Sequence, residues 1–533
     1  MIEVEVHQRL RALLREQGGT NWPHQLTVAR LVARALRLQR NTLMQVSSTA
    51  AYLGQYRLSY LASLLLWPEA VILVATPEVQ QALCHIELPR LREWLHLSKP
   101  VYQGIDCIQK SASGITLLTP QEWLGLYLEE DRSFSGNSVP PGIPFVIDGA
   151  ENLEAWTGSY LTQAIAPSDW DQLLWICPAQ TEIIRDARAA LTRRLFQHPA
   201  NPYGCVAVDR PEREILQQLG QQIAADHFGK RLPGAWRSLA STLDPSLDPS
   251  LAPSQTQVLG QSNFMMWADL DRVQGSFTLR SAPVEVGSVL KHLWQNHTTI
   301  LLSGILDLDP QAETFRLQTG LGDLTCLQFA TDRQNEILTL YLPDGVPMPN
   351  TPEFAPALMH HFHRLLTLPF STEVFSVLIV DDLPLKQKVA AILAAEFGSR
   401  VKVERTDCAV GNILITGWSF WQQAQRSLPH PNRLAIATLP FPSLENPKVA
   451  GRVAYYKQQR QDWFRLYLLP EALQTLQKAI APLRTQPSLL ALFDNRVLHR
   501  TYGQQILSVL SPYARLDYLD ETESILMPPH CSV

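Results

Sequence analysis

The sequence predicts an α/β protein built from two parallel sheets in tandem, and three observations lead there. Short, continuously apolar runs, VILVAT (71–76), GITLLT (114–119) and PFVIDG (144–149), are separated by helical or loop sequence. A second set follows: HTTILLSGIL, SVLIVDD, VKVERT, NILITGW, RLAIATLPF and LLALFDN. Strands buried on both faces lose the apolar–polar alternation of half-exposed strands, and helices between them are what parallel crossovers require. The third observation is length, since 533 residues at about 150 per domain make two to four domains with ample core.

Taken in order, the first 40 residues give an amphipathic helix, a turn at GGTNWPHQ and a second helix through Arg40. The first strand set comes next. Helical patterns dominate residues 155–285, interrupted by a repeat, LDPS-LDPS-LAPS, at 243–254. Proline in every repeat, with Ser and Asp between, makes an extended solvated loop that no core accommodates. A second linker, LPDGVPMPNTPEF, precedes a helix carrying Met359, His360, His361 and His363. Adjacent histidines point about 100° apart on a helix, so this trio reads as a helix face, not a metal site.

Charged residues are 18% of the chain and hydrophobic ones 46%, far from the composition of disorder. A net charge of -5 and a pI near 6.3 exclude a globally basic surface, so any nucleic-acid site must be a patch. The seven cysteines are widely spread and form no C-x-x-C, which leaves neither a disulfide framework nor a zinc finger. The opening MIEVEVHQRLRALLREQ lacks a signal-peptide core, and the expected location is cytoplasmic. The most apolar stretch, LSYLASLLLWPEAVILVAT, is broken by Pro68 and Glu69 and reads as a helix then a buried strand; no membrane span is expected.

Two local motifs dissolve on inspection. Asp381 and Asp382 after SVLIV resemble the magnesium-binding acids of a receiver domain, but the strand that would carry the phosphoacceptor, NILITGW, ends in Gly417 and Trp418. The acids then read as a strand end and a helix cap. GWSFW starts like a nucleophile elbow, yet Trp421 stands where that strained turn wants glycine, which discounts Ser419.

Several short strings in fixed order run across the chain: WPHQ, VILVATPEVQQAL, ITLLTPQEWL, FVIDGAENLEAW, ILLSGIL, ILITGWSFW followed by LPFPSLENP, and LQKAIAPLR then LFDNRVLHRTYG. From about residue 10 to 515 they resemble the DinG/XPD branch of superfamily-two DNA helicases. The resemblance implies two RecA-like domains, 1–155 plus 285–332 and 333–533, with a mainly helical insertion at 156–284. It also implies ATP and Mg²⁺ as cofactors, with Gln25, Gly54, Tyr56, Arg57 and Gln477 near the nucleotide and Asp148, Glu151 and Arg484 at the chemistry, Asp148 being the metal ligand.

The chemistry departs from the family. A P-loop needs G-x-x-x-x-G-K-[ST], because glycine amides wrap the phosphates, lysine neutralises them and the hydroxyl ligates Mg²⁺. In MQVSSTAAYLGQYRLSYLAS the lysine falls on Tyr56 or Arg57, and only Gly54 of the glycines remains. The DEAH segment reads Asp148-Gly149-Ala150-Glu151, so the glutamate that activates water is Gly149, and Glu151 is the remaining carboxylate. Motif V carries Gln422, Gln423 and Gln425 in place of its acids and glycine, and motif VI keeps Gln477 and Arg484 but has Ala481 at its first arginine. Only Cys84 and Cys107 lie where related enzymes hold a cluster on four cysteines, so no iron–sulfur cluster is expected.

Nucleic-acid candidates are basic stripes. Arg30, Arg34 and Arg37 recur at i, i+4 and i+7 on one helix face; Arg185, Arg188, Arg193 and Arg194 add a second group. RVAYYKQQRQDWFR interleaves Arg452, Lys457, Arg460 and Arg465 with Tyr455, Tyr456 and Trp463, the composition that single-strand binding uses. The same pattern suits an ordinary amphipathic helix.

The expected function is a DinG/XPD-type helicase homologue that binds single-stranded DNA, with ATP hydrolysis lost or strongly impaired. Two alternatives stand beside it: an active ATP-dependent helicase with a diverged P-loop, and a non-catalytic scaffold for a protein partner. On the leading reading, Asp148→Ala alters stability or metal binding only modestly and leaves DNA affinity intact.

Overall fold

The computed structural model describes residues 1–16, 22–128 apart from 97 and 109–112, 140, 142–224, 235, 236, 239, 264–330 apart from 292 and 296, 338–368 and 374–519. The repeat at 243–254 lies outside the described residues.

The chain first lays down β1 (Thr42–Gln45), β2 (Val71–Val74), β3 (Val101–Gln103), β4 (Ile115–Leu118) and β5 (Phe145–Asp148). It then leaves that sheet for four strands, β6 (Gln163–Ile165), β7 (Cys205–Ala207), β8 (Phe264–Asp271) and β9 (Ser276–Pro283), and returns with β10 (Thr299–Ser303) and β11 (Thr325–Gln328). All pairings in the first sheet are parallel, in the order β11-β1-β10-β5-β2-β4-β3. β10 therefore enters between β1 and β5, which explains why its centre, Ile300–Leu302, is apolar and every residue of TILLS is buried.

The second sheet collects β12 (Leu338–Tyr341), β13 (Ser376–Ile379), β14 (Val401–Val403), β15 (Ile413–Thr416), β16 (Arg433–Ile436), β17 (Leu489–Leu492) and β18 (Tyr513–Leu516). It too is wholly parallel, in the order β14-β15-β13-β16-β17-β12-β18. Helices cover both faces of each sheet and divide its core into two apolar clusters. The two-sheet α/β architecture is the one the sequence implies.

The insertion holds more than helices. β6, β9, β8 and β7 form an antiparallel sheet whose longest pair, β8 and β9, turns at Gly275 with φ +63°. Helices Pro167–Ile176, Thr181–Gln197 and Arg210–Ala224 pack on it through Trp170, Leu173, Ile184 and Leu191 against Met266, Phe277 and Leu279. The sheet went unseen in the sequence because its two short strands find partners far along the chain.

Among the described residues no helix is long and apolar enough to cross a membrane. Asp382 caps the helix Leu383–Phe397, accepting from Leu385 N at 2.8 Å, and Asp381 accepts from Trp418 N at 3.2 Å. Both acids thus close backbone ends. The histidines of helix Phe354–Thr367 diverge, His361 meeting Tyr341 Oη at 3.2 Å and His363 meeting Glu396 at 2.8 Å.

Candidate functional site

In open α/β sheets, ligands bind beyond the carboxyl ends of the strands. Asp148 ends β5 at such an edge. From the end of β1 the chain runs into a short helix, Ser48–Leu53, capped by Ser47, whose hydroxyl accepts from Ala50 N at 3.2 Å. Gly54 ends this helix at φ +67°, and the next helix, Arg57–Leu66, begins three residues on. The absence of a side chain at Gly54 has a direct use here, because a Cβ would stand 2.8 Å from Arg57 Nη1. Arg57 folds back across the glycine toward Asp148.

Three side chains from this turn converge on that one carboxylate. Arg57 Nε lies 3.2 Å from Asp148 Oδ2, Tyr60 Oη donates to the same oxygen at 2.7 Å, and Tyr56 Oη donates to Oδ1. Tyr56 and Tyr60, at i and i+4, share a helix face. Asp148 is 2% exposed, Tyr60 0% and Tyr56 3%. Burial, reinforced by the charge of Asp148, pushes both phenols well above their ordinary value, so both stay protonated donors. Burial, the largest single influence, lowers the pKa of Arg57, but Asp148 together with Tyr56, Tyr60 and Glu87 outweighs it and the net shift is upward. One negative group, one positive group and two neutral hydroxyls form a closed network.

Across the cleft stands the second domain. A cavity of about 330 Å³ lies between Ser48, Tyr52 and Asn152 on one side and Gln425, Arg426, Gln477, Lys478 and Ala481 on the other. Arg426 Nη2 reaches Tyr52 O at 3.4 Å with its guanidinium 5.6 Å from the Tyr52 ring, and Lys478 Nζ lies 3.2 Å from Asn152 Oδ1. These two cations, like Ser48, Tyr52 and Asn152, are cleft residues that the sequence reading missed. Each cation sits one position from a glutamine that it had picked out, Gln425 and Gln477.

Residues 407–513 match the helicase C-terminal domain family. No curated protein sequence matches the chain. Among solved structures, one described as an XPD helicase superposes with a TM-score of 0.57 at 13% identity, covering 94% of this chain and all of that one. Xpd4 of S. tokodaii gives 0.57 at 13% identity, covering 93% of this chain and all of that one, and a structure described as apo XPD gives 0.53 at 14%, covering 92% and all of its own chain. The chain has the XPD-type helicase fold.

An XPD-type ATPase site needs phosphate-wrapping glycines, a lysine, a hydroxyl and a free carboxylate for Mg²⁺. The residues present do not fit that group. Tyr56 or Arg57 replaces the lysine, the residue after either is Arg57 or Leu58, and the oxygens of Asp148 are held by Tyr56, Arg57 and Tyr60. Gly149, next to Asp148, sits at φ +87°, a conformation that glycine tolerates best, and carries no carboxylate. Glu151 accepts from Gly304 N at 3.3 Å, and Gln25 donates to Gln55 O at 3.4 Å. Among the described residues no three His, Cys, Asp or Glu side chains converge as a metal-ligand set.

Arg484 requires a correction. The sequence reading aimed it at the cleft, but its guanidinium turns into its own domain and donates to Leu510 O at 2.5 Å, Pro512 O at 3.0 Å and Ser511 O at 3.2 Å. A buried guanidinium satisfies the orphan carbonyls that close the helix Gly503–Leu510. Arg433 does the same for helix Phe354–Thr367, donating to Leu366 O and Leu368 O.

The nucleic-acid candidates divide. Arg30 and Arg34 are exposed on helix Gln25–Leu38, whereas Arg37 pairs with Glu3 at 2.6 Å. Arg460 and Arg465 are exposed, Arg465 with Asp462 3.7 Å away, and Lys457 Nζ lies 5.3 Å over the half-buried Trp463 ring. Tyr455 and Tyr456 are not open stacking faces, since the Tyr455 hydroxyl donates to Glu285 at 3.0 Å and the Tyr456 ring stacks on Tyr467. Arg452 is held by Glu154, and in the insertion Arg188 pairs with Asp171 at 2.8 Å and Arg194 with Glu212 at 3.9 Å.

Proposed function

We propose that this protein handles single-stranded DNA on an XPD-type helicase scaffold that no longer turns over ATP. The observation that carries the proposal is the self-satisfied Asp148: the carboxylate that would serve a Mg²⁺–water shell is occupied by Tyr56, Tyr60 and Arg57 of the same domain. Opening the network to admit a metal would leave a buried guanidinium without its partner, which costs about 3 to 5 kcal/mol before any phosphate is bound. The DNA part of the proposal is supported by the exposed cations Arg30, Arg34 and Arg460, and by Arg465 beside Asp462, which suit a phosphodiester backbone. Steady-state phosphate release with and without single-stranded DNA tests this. No turnover above a boiled control is expected, and DNA-stimulated hydrolysis would restore the active-helicase reading.

A non-catalytic scaffold for a protein partner is the second reading. It is favoured by the engagement of Tyr455, Tyr456 and Arg452 in internal contacts, which leaves Trp463 as the stacking candidate of that segment. Fluorescence anisotropy with a labelled oligonucleotide separates the two, since the scaffold reading expects no binding even at low salt.

A further inference from the structure

The helix Pro447–Gln458 of the second domain is gripped from several directions. It packs on β8 and β7 of the insertion. Contact with β8 is close, because a Cβ on Gly451 would stand only 3.3 Å from Met265 Cβ. Next to it, Lys448 Nζ sits 4.9 Å over the ring of Trp267, a β8 residue only 4% exposed. On a further side Arg452 pairs with Glu154, on the helix that follows Asp148 in the first domain, with side chains 13% and 22% exposed. At the far end Tyr455 donates to Glu285, where the chain leaves the insertion.

Other crossings tie the two sheet domains directly. Gln318 Nε2 donates to Leu466 O at 2.7 Å, Lys478 to Asn152 Oδ1 at 3.2 Å and Arg426 to Tyr52 O at 3.4 Å. Each of these contacts joins groups of this chain. We propose that the insertion is a clamp which, seated on helix Pro447–Gln458, holds the two sheet domains in one arrangement independent of any nucleotide. A nucleotide changes a domain angle only by binding two arrangements unequally, and here one arrangement is already held by contacts internal to the chain. Separating the domains would strand the Arg452–Glu154 pair and expose Trp267. The clamp does not depend on the ATPase reading, since every contact named lies outside the Asp148 network.

Small-angle X-ray scattering on the full chain, with hydrogen exchange on the same samples, tests it. The profile is expected to superpose with and without Mg²⁺-ATP. Gly451→Leu, a wedge at the β8 contact, is expected to raise the radius of gyration and to speed amide exchange in both β8 and helix Pro447–Gln458 by about tenfold or more, with circular dichroism unchanged. Should that variant fail to fold, the milder Lys448→Ala with Tyr455→Phe gives the same readout. A native profile that shifts with Mg²⁺-ATP, or a folded variant with unchanged exchange in both elements, overturns the clamp. Phosphate release measured in parallel keeps the two proposals apart: turnover with a constant profile would sink the ATPase reading alone, and a shifted profile without turnover would sink the clamp alone.

Discussion

Tyr60 donates its hydroxyl to Asp148 Oδ2 at 2.7 Å, and neither residue is more than 2% exposed. The carboxylate is thereby a structural group of the first domain. Removing it strands the buried Arg57, so Asp148→Ala is expected to cost about 3 to 5 kcal/mol, well above the modest change that the sequence suggested. Tyr60→Phe removes one hydrogen bond to a charged group and is expected to cost about 1.5 to 3 kcal/mol. Urea denaturation of the three proteins checks both, and an Asp148→Ala loss below that of Tyr60→Phe would contradict the network.

Arg484 is expected to behave as a helix-end group. Arg484→Met removes three hydrogen bonds to Leu510, Ser511 and Pro512 and leaves their carbonyls without that donor, for a loss on the order of 2 to 4 kcal/mol. DNA affinity measured at a temperature where the variant is folded should stay within about twofold of the native value, because the side chain faces its own domain. A large drop in affinity with unchanged stability would return Arg484 to the cleft.

His361 makes stability depend on pH. Burial, with His360 and Arg364 nearby, lowers its pKa to about 4, while its ring stacks on Phe493. The unfolded chain takes up this proton near 6.5 and the folded one only near 4, so between those values the unfolded state binds more protons. The contribution is full above pH 6.5 and is lost as pH falls toward 4. His361→Phe is expected to flatten that part of a melting-temperature series from pH 7 to 4.5; an unchanged slope would assign it to other groups.

Most strands of the two parallel sheets were legible because a strand buried on both faces writes itself as a largely apolar run, as in VILV and ILIT, whereas β1, β3, β11, β12 and β18 were not picked out. The insertion sheet was not, since β8 mixes buried and half-exposed residues and β6 and β7 are three residues each. Asp148 and the Tyr56–Arg57 turn were read as neighbours, but Tyr60 was passed over although its i, i+4 spacing from Tyr56 was visible. The direction of Arg484 was beyond reach, because the carbonyls it serves come from a segment about 26 residues on that only folding brings alongside. Tyr455 and Tyr456 illustrate the same limit: composition placed aromatics beside cations, and tertiary packing decided that Glu285 and Tyr467 would take them.

Single-stranded DNA binding should be governed by the exposed cations. Each phosphate neutralised on a single strand contributes about 0.7 to the slope of log affinity against log salt. Arg30→Ala and Arg34→Ala are therefore each expected to weaken binding and to flatten the slope, whereas Tyr455→Phe, which removes only the hydroxyl bound to Glu285, leaves both unchanged. Trp463→Ala should differ in kind. Its ring, half-buried under Lys457, offers stacking worth roughly 1 to 3 kcal/mol per base and carries no charge, so affinity should fall while the slope holds. Anisotropy of a labelled oligonucleotide across a salt series reads both quantities at once. A Trp463→Ala variant that binds as the native protein does would place the contact on helix Gln25–Leu38, and arginine variants with the native slope would remove that helix from the interface.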